Sequence, residues 1–499
     1  LPLLAVLVAV GALLVGCGSS SDSSSSSGDA SFTGDAYSNV DLASTRAVQS
    51  KIDSGNVAQL EEAWSIPVKG TGVYGSYAST PVIANGVVYS QDLESNVEAI
   101  DLASGDVLWS KKFESPSHGP NGLAVAEGHV FGATASEAFA LDQETGKLAW
   151  QVDLEGAVDQ APGVSDGRVY ISTVPETPAA EYEAGEVGTL WVMDGKTGKK
   201  LWHWDTVPKS LWGKPKVNSG GGLWYPPSFD GKGFVYAGTG NPAPLPGAPG
   251  EPWGSSRPGS NLYADSLVKL DPESGKLLWH YQETPHNIYD WDFQNSPVIT
   301  KAGGREVAIG SGKSGYVVAV DVKTGKPVWR TPVGKHNGHD NDPLYAMRGE
   351  YDRIKTGEVF PGTLGGVIAL AAADDKRIYV PIVNHSMTVI NGEEVTEEST
   401  ATGEVAALDL ATGKIAWQAE MSQPAYGSLL VSNDVVFATT ADGIVHALDS
   451  AKGGEVWQAA LPAGTNAGVM ISGDMLVAGA GLPAVEGQTP KLVAYKLGG

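Results

Sequence analysis

From residue 82 to 496 the chain repeats one pattern of apolar and polar positions: two short apolar runs hinged by a turn, a third run that usually ends in Asp, and a fourth that usually carries a Trp. The hinges are Asn85-Gly86, Glu127-Gly128, Asp166-Gly167, Asp230-Gly231, Gly303-Gly304, Asp374-Asp375, Asn433-Asp434 and Gly473-Asp474. An Asp, a Gly four residues later and a Trp eight residues later recur as Asp101/Trp109, Asp142/Trp150, Asp194/Trp202, Asp271/Trp279, Asp321/Trp329, Asp409/Trp417 and Asp449/Trp457. The Asp caps a tight turn through its own side chain, the Gly supplies a positive φ, and the next strand delivers the Trp at fixed spacing.

Trp64 extends the series, and the eight Trp are separated by 45, 41, 52, 77, 50, 88 and 40 residues. A floor of about 40–45 residues matches four strands per propeller blade. Eight Trp and eight hinges predict an all-β, eight-bladed β-propeller with tryptophan-docking repeats. The strand near 492–496 has no Trp after it, and Trp64 has no blade before it. The N- and C-terminal strands are therefore expected to share one blade and close the ring, which removes exposed sheet edges.

With strands A to D counted from axis to rim, the hinges are A–B turns and the Asp…Gly turns are C–D turns, all at one end of the disc. The long insertions, 173–188, 203–224, 238–263, 335–362 and 384–403, fall in B–C or D–A loops and belong to the other end. Extra length spent on one end predicts a pocket over the central channel.

Charge and cysteine content narrow what that pocket does. With 33 Lys+Arg against 57 Asp+Glu and a formal net charge of −24, the surface repels polyphosphate, so no nucleic-acid partner is expected. One Cys excludes a disulfide framework, a Cys-rich zinc site and a CxxCH haem attachment. Redox chemistry then requires an organic cofactor or a metal held by oxygen ligands.

The single Cys17 ends an apolar stretch in Leu14-Val15-Gly16-Cys17, which resembles a bacterial lipobox. Sixteen residues fall short of the roughly 20 that span a bilayer as a helix. The domain reading is 1–17 as lipoprotein signal peptide and lipidated Cys, 18–36 as a Ser-rich flexible tether, and 37–499 as one propeller. The body is expected outside the cytoplasm, held to the bacterial cell envelope by a lipid anchor only.

The insertion loops are rich in oxygen donors. Asp290-Trp291-Asp292 puts two carboxylates on one side of an extended segment. Asn241 sits on the Gly-rich turn Gly238-Thr239-Gly240-Asn241-Pro242, and Glu176, Glu181, Glu183 and Glu186 crowd one loop. Carboxylate and amide oxygens without Cys suit Ca²⁺ or another hard cation. Trp224, Trp253 and Trp291 offer flat surfaces to a planar cofactor. The run His336-Asn337-Gly338-His339-Asp340-Asn341-Asp342 lacks the spacing that converges on one ion and reads as a polar loop, as does His286 beside Asn287. The Gly-rich pieces lack the strand-to-helix setting of nucleotide loops, which excludes NAD and ATP.

From about Tyr37 onward the chain resembles the pyrroloquinoline-quinone (PQQ)-dependent alcohol dehydrogenases, eight-bladed quinoprotein propellers. The resemblance rests on Thr45-Arg46, Asn56-Val57…Leu60…Trp64, Gly238-Thr239-Gly240-Asn241-Pro242, Asn261-Leu262-Tyr263 and Trp279-His280-Tyr281-Gln282…Thr284-Pro285-His286…Asp290-Trp291-Asp292. It implies PQQ with Ca²⁺ or a lanthanide, Asp290 as general base, Trp224 stacking on the quinone and Lys313 at the quinone oxygens. It further implies Asn241, Glu183 and Asp290 as metal ligands, with Asp292 as the extra acid found in lanthanide-using members. The implied substrate is a small alcohol or a sugar hydroxyl, and the implied electron acceptor is a separate cytochrome or quinone. Three departures stand out: the family's adjacent Cys pair is absent, Asn121 replaces a common Arg, and Ala78 replaces a Glu. The alternative is a non-catalytic cousin, the propeller lipoproteins that scaffold outer-membrane protein assembly. Cys17→Ser is expected to release the protein from membranes with its fold intact; membrane association that persists in the mutant points to a retained apolar segment or a protein partner.

Overall fold

The hinged apolar runs fold as antiparallel meanders, because each tight turn reverses the chain and each apolar run needs a covered face. In this computed structural model residues 34–176, 182–397, 400–483 and 487–498 are described. The lipobox with Cys17 and most of the expected tether lie outside the described residues. Eight sheets contain a four-strand meander: 82–111, 124–153, 163–205, 228–282, 298–332, 372–421, 430–460, and 470–497 joined by Leu60–Pro67. In the last of these Leu60–Pro67 pairs antiparallel with Lys491–Leu497, placing Trp64 opposite Ala494. Two small sheets add 219–220 with 242–243, and a three-stranded element of 357–359, 387–390 and 394–397. The chain is thus an all-β propeller, and among the described residues no helix is long and apolar enough to cross a membrane.

Burial falls off from axis to rim. The inner Val87–Gln91 is buried throughout, whereas the outer Val107–Lys111 is exposed or half-buried at every position. Inner strands are covered by a neighbouring sheet on both faces, which is why they read as continuous apolar runs; outer strands meet solvent.

The Trp series joins one sheet to the next. Trp64, Trp109, Trp150, Trp202, Trp279, Trp329 and Trp417 each donate the indole N–H to a backbone carbonyl of the following sheet, those of Leu102, Gln143, Gly195, Pro272, Val322, Leu410 and Ser450, at 2.8–3.1 Å. The Gly of that following sheet's Asp…Gly turn lies against the same ring. A Cβ at Gly105, Gly146, Gly198, Gly275, Gly325, Gly413 or Gly453 would come within 2.5–3.0 Å of the Trp. These glycines serve both the positive φ of the turn and the docking of the indole. The sheet of 470–497 has no such turn, and there Trp457 instead meets Tyr495 edge-on, with ring centroids 5.7 Å apart.

One element escaped the sequence reading. Residues 35–51 run along the inner strands at the A–B end and bond to them in turn. Tyr37 pairs with Ala124, the carbonyls of Leu42, Ala43, Thr45 and Arg46 accept from Phe229, Ile299, Ala373 and Val431, and Lys51 donates to Gly473. The propeller body expected from residue 37 therefore already includes Ala36, which pairs with Val125. Removing one docked indole tests the Trp interlock: Trp417→Ala should lower stability by about 3–5 kcal/mol in denaturant unfolding.

Candidate functional site

Every insertion expected at one end lies between B and C strands or between D and the next A strand. The pocket they build is organised first by main-chain clips. Ser219–Gly220 pairs with Pro242–Ala243, while Gly221 donates to the Asn241 carbonyl and Gly240 to the Gly222 carbonyl. These bonds bring the loop carrying Trp224 against the loop carrying Asn241. A Cβ on Gly240 would lie 3.1 Å from Trp224 Nε1 and 3.2 Å from Asp292 Oδ1, so a side chain there would crowd both. Trp224 is half-buried.

The acidic segment is wrapped around a residue that sequence reasoning did not single out. Asn287 donates its amide to Asp265 Oδ1 at 3.0 Å and accepts the backbone N–H groups of Tyr289 and Trp291 with Oδ1, both at 3.0 Å. The turn so formed holds Asp290 in the left-handed region, at φ 59°, a conformation that a non-glycine residue adopts only when its surroundings impose it. Asp292 is fully buried and accepts the Asn241 backbone N–H on Oδ1 at 2.6 Å.

Lys313 lies between the two carboxylates, 2.9 Å from Asp290 Oδ2 and 2.6 Å from Asp292 Oδ2. Burial opposes its charge, but the two carboxylates hold the ammonium protonated well above its ordinary range. Burial raises Asp290 to about 7 against the pull of Lys313, with Asp292 and Glu176 adding repulsion. Asp290 Oδ1 is buried and has no hydrogen-bond partner among the described residues.

Asn241, Asp290, Asp292, Lys313 and Trp224 therefore stand together. Glu183 does not join them: it is exposed, and its backbone N–H turns back to the Pro175 carbonyl. The residue before it, Tyr182, enters instead and donates its hydroxyl to Asn241 Oδ1 at 2.7 Å. Among the described residues of this loop the buried acid is Glu176, whose side chain is 8 % exposed. Trp253 and Trp291 do not face the pocket as flat surfaces. Both are buried in an apolar cluster with Ile288, Tyr289, Met387 and Val389, and the Trp291 indole is bonded to the Pro361 carbonyl at 2.9 Å. Their shared end of the disc was legible, but not the second layer of loops that covers them.

The histidines divide as their spacing suggested. His286 bonds to the Gly259 and Trp253 carbonyls, His336 to Asp340, and His339 to Asp342. A different one, His118, stands with Asp159 and Glu176 in a buried group drawn from three loops. Hydrogen bonding to Asp159 and Glu176 raises its pKa to about 10.

Residues 36–336 match the family model described as "Glucose/ethanol/alcohol dehydrogenase, beta-propeller domain". The chain belongs to the PQQ-dependent alcohol dehydrogenase family. Residues 362–498 match a second model, that of the outer membrane protein assembly factor BamB. Among individual proteins, the dehydrogenase subunit of alcohol dehydrogenase (quinone) from Gluconobacter oxydans is 30% identical over 404 residues, 66% of this chain and 50% of the relative. The chain thus spans about half the length of the curated relatives it matches. The quinohemoprotein alcohol dehydrogenase of Comamonas testosteroni superposes with a TM-score of 0.77 at 25% identity, covering 92% of this chain and 80% of that one. A europium-containing methanol dehydrogenase shares the fold, with a TM-score of 0.75 at 19% identity, covering 92% and 97%.

Within this PQQ-family propeller the departures from the family pattern lie together. Ala78 and Asn121 border one small cavity with Tyr225, and the Asn121 amide donates to the Asp92 carbonyl at 2.7 Å. The oxygen donors around Asn241 fit a hard cation, and the orphaned Asp290 Oδ1 is an acceptor without a donor. A half-buried Trp224 beside a side-chain-free Gly240 fits a flat ring. Lys313→Met leaves two buried carboxylates facing each other and should cost about 3–5 kcal/mol in urea unfolding, most of it recovered when Asp290→Asn is added.

Proposed function

We propose that this protein is a PQQ- and metal-dependent dehydrogenase that oxidises an alcohol or aldose-type hydroxyl. The observation that carries the reading is the grouping of Asn241, Asp290, Asp292, Lys313 and Trp224, drawn from four separate loops, with Asp290 Oδ1 buried and without a hydrogen-bond partner among the described residues. Asn241, Asp290 and Asp292 would hold Ca²⁺ or a lanthanide, and Trp224 and Lys313 would hold the quinone. Bound there, the pair supplies a hydride acceptor polarised by a cation.

The chain's own residues do the rest. Asp290 Oδ1 accepts the hydroxyl proton of the substrate, and a pKa raised to about 7 by burial matches a base working near neutrality. Lys313 holds the other oxygen of that carboxylate and so fixes which one faces the substrate. Asp292 positions the Asn241 backbone, and Asn287 holds the turn from which Asp290 projects. The flat face of Trp224 confines a ring to one plane beside these groups. Electrons then leave to a separate acceptor, a cytochrome or quinone.

The reading extends to the rest of the chain. The eight four-strand sheets are the blades of one ring, which Leu60–Pro67 closes by joining the final sheet. A lipid at Cys17 holds the body on the outer side of a cell membrane, with the Ser-rich stretch before Gly34 as tether.

A second reading is favoured by the match of 362–498 to the outer membrane protein assembly factor BamB and by the missing Cys pair. In it the propeller is a scaffold that binds protein or ligand without catalysis. The soluble body supplied with PQQ plus Ca²⁺ or La³⁺ separates the two. The dehydrogenase reading expects cofactor absorbance that co-purifies with the protein and dye-linked alcohol oxidation. Asp290→Asn should keep the fold and lower turnover by about 10²–10⁴-fold, since an amide cannot accept the proton. Full activity in that mutant, or no cofactor uptake by the wild type, leaves the scaffold.

A further inference from the structure

His118, Asp159 and Glu176 come from three different inter-strand loops, yet their side chains are only 3 %, 3 % and 8 % exposed. One atom from each, His118 Nδ1 and a carboxylate oxygen of each acid, lies within 4.8 Å of the others. His118 Nδ1 is 3.4 Å from Asp159 Oδ2 and 3.4 Å from Glu176 Oε2. That spacing is long for a charge-assisted hydrogen bond, which closes to about 2.7–2.9 Å. It equals the edge of a tetrahedron whose corners stand about 2.1 Å from its centre, the bond length of Zn²⁺ to imidazole and carboxylate.

A single hydrogen bond through Nδ1 of the imidazole cannot serve both carboxylates at short distance. With its proton on Nδ1, one N–H is shared between two carboxylates. With its proton on Nε2, a lone pair faces both of them, and His118 Nε2 is buried without a partner among the described residues. Glu176 Oε2 is also buried and comes no closer to the ring nitrogen than 3.4 Å. Asp159, in contrast, is already fixed, because its Oδ1 accepts the His118 backbone N–H at 3.1 Å. The oriented carboxylate is what a metal site requires of its surroundings.

We propose that His118, Asp159 and Glu176 bind a divalent first-row transition metal, Zn²⁺ in kind, through ligands that the neighbouring Asn241–Asp290–Asp292 group does not use. One imidazole and two carboxylates suit this class of ion better than Ca²⁺, which takes six to eight oxygens. Three protein ligands leave a fourth position for water or a substrate oxygen. Tyr74, 45% exposed, has its ring 6.3 Å from that of His118.

The test is titration of the purified full chain with Co²⁺ alone, followed by visible absorption and calorimetry. The expected result is one Co²⁺ per chain with the intense visible bands of four-coordinate Co²⁺, displaced by Zn²⁺. His118→Ala and, independently, Glu176→Gln should abolish the bands. Each should weaken binding by more than the about 10–100-fold lost when a group hydrogen-bonded to a metal ligand is removed. Asp290→Asn and Asp292→Asn should leave bands and stoichiometry unchanged, which separates this site from the proposed catalytic one. Circular dichroism checks that each variant is folded, and if His118→Ala is not, Glu176→Gln decides. Bands that survive in the deciding variant, bands lost in Asp290→Asn, or no bands in the wild type overturn the proposal.

Discussion

Seven of the eight sheets are each held to the next by an indole gripped on two sides: its N–H is bonded to the neighbour's main chain, and its face lies on a glycine that cannot carry a side chain. The two conditions demand one another. A larger residue at the glycine would push the ring away and break the hydrogen bond, and a smaller residue at the Trp would leave a void and an unpaired carbonyl. Because the same pair recurs from sheet to sheet, the inner strands are fixed relative to one another, and the loops between them start from fixed points. Residues as distant in sequence as Asn241 and Lys313 can then be held within a few ångströms without local sequence forcing them together.

The pocket uses that rigidity to hold charge that would otherwise be costly. Asp290 and Asp292 are both buried, and one Lys313 stands between them. Burial alone would neutralise one of the acids; the shared ammonium offsets this and leaves a carboxylate near its titration point. The strained φ of Asp290 belongs to the same arrangement, since the turn around Asn287 sets where that carboxylate emerges. In loops of the preceding sheets, His118 faces two further acids, Asp159 and Glu176.

What was legible in the sequence follows the range of the interaction. The Asp…Gly…Trp unit is local turn chemistry plus one contact at constant spacing, so its period announced the strands, the turns and the pairing of Trp64 with the last strand. The end of the disc that carries the pocket followed from strand parity alone. Glu183 was misplaced because its neighbour Tyr182 competes for the same inward direction, and one residue of register in an irregular loop decides between them. Trp253 and Trp291 were read from their end of the disc, but depth depends on which loops lie above. The 35–51 segment left no trace in the apolar pattern, since its bonds are mostly main-chain ones that any residues can make.

That segment also sets a direction for the whole molecule. Asp35 Oδ1 accepts the N–H of Glu127, and Gly34 packs on Asn85; both partners belong to A–B turns, on the side of the disc opposite the pocket. The described part of the chain therefore starts on the face opposite the pocket. The first described residues thus close the back of the inner strands and leave the pocket's own end to the insertion loops.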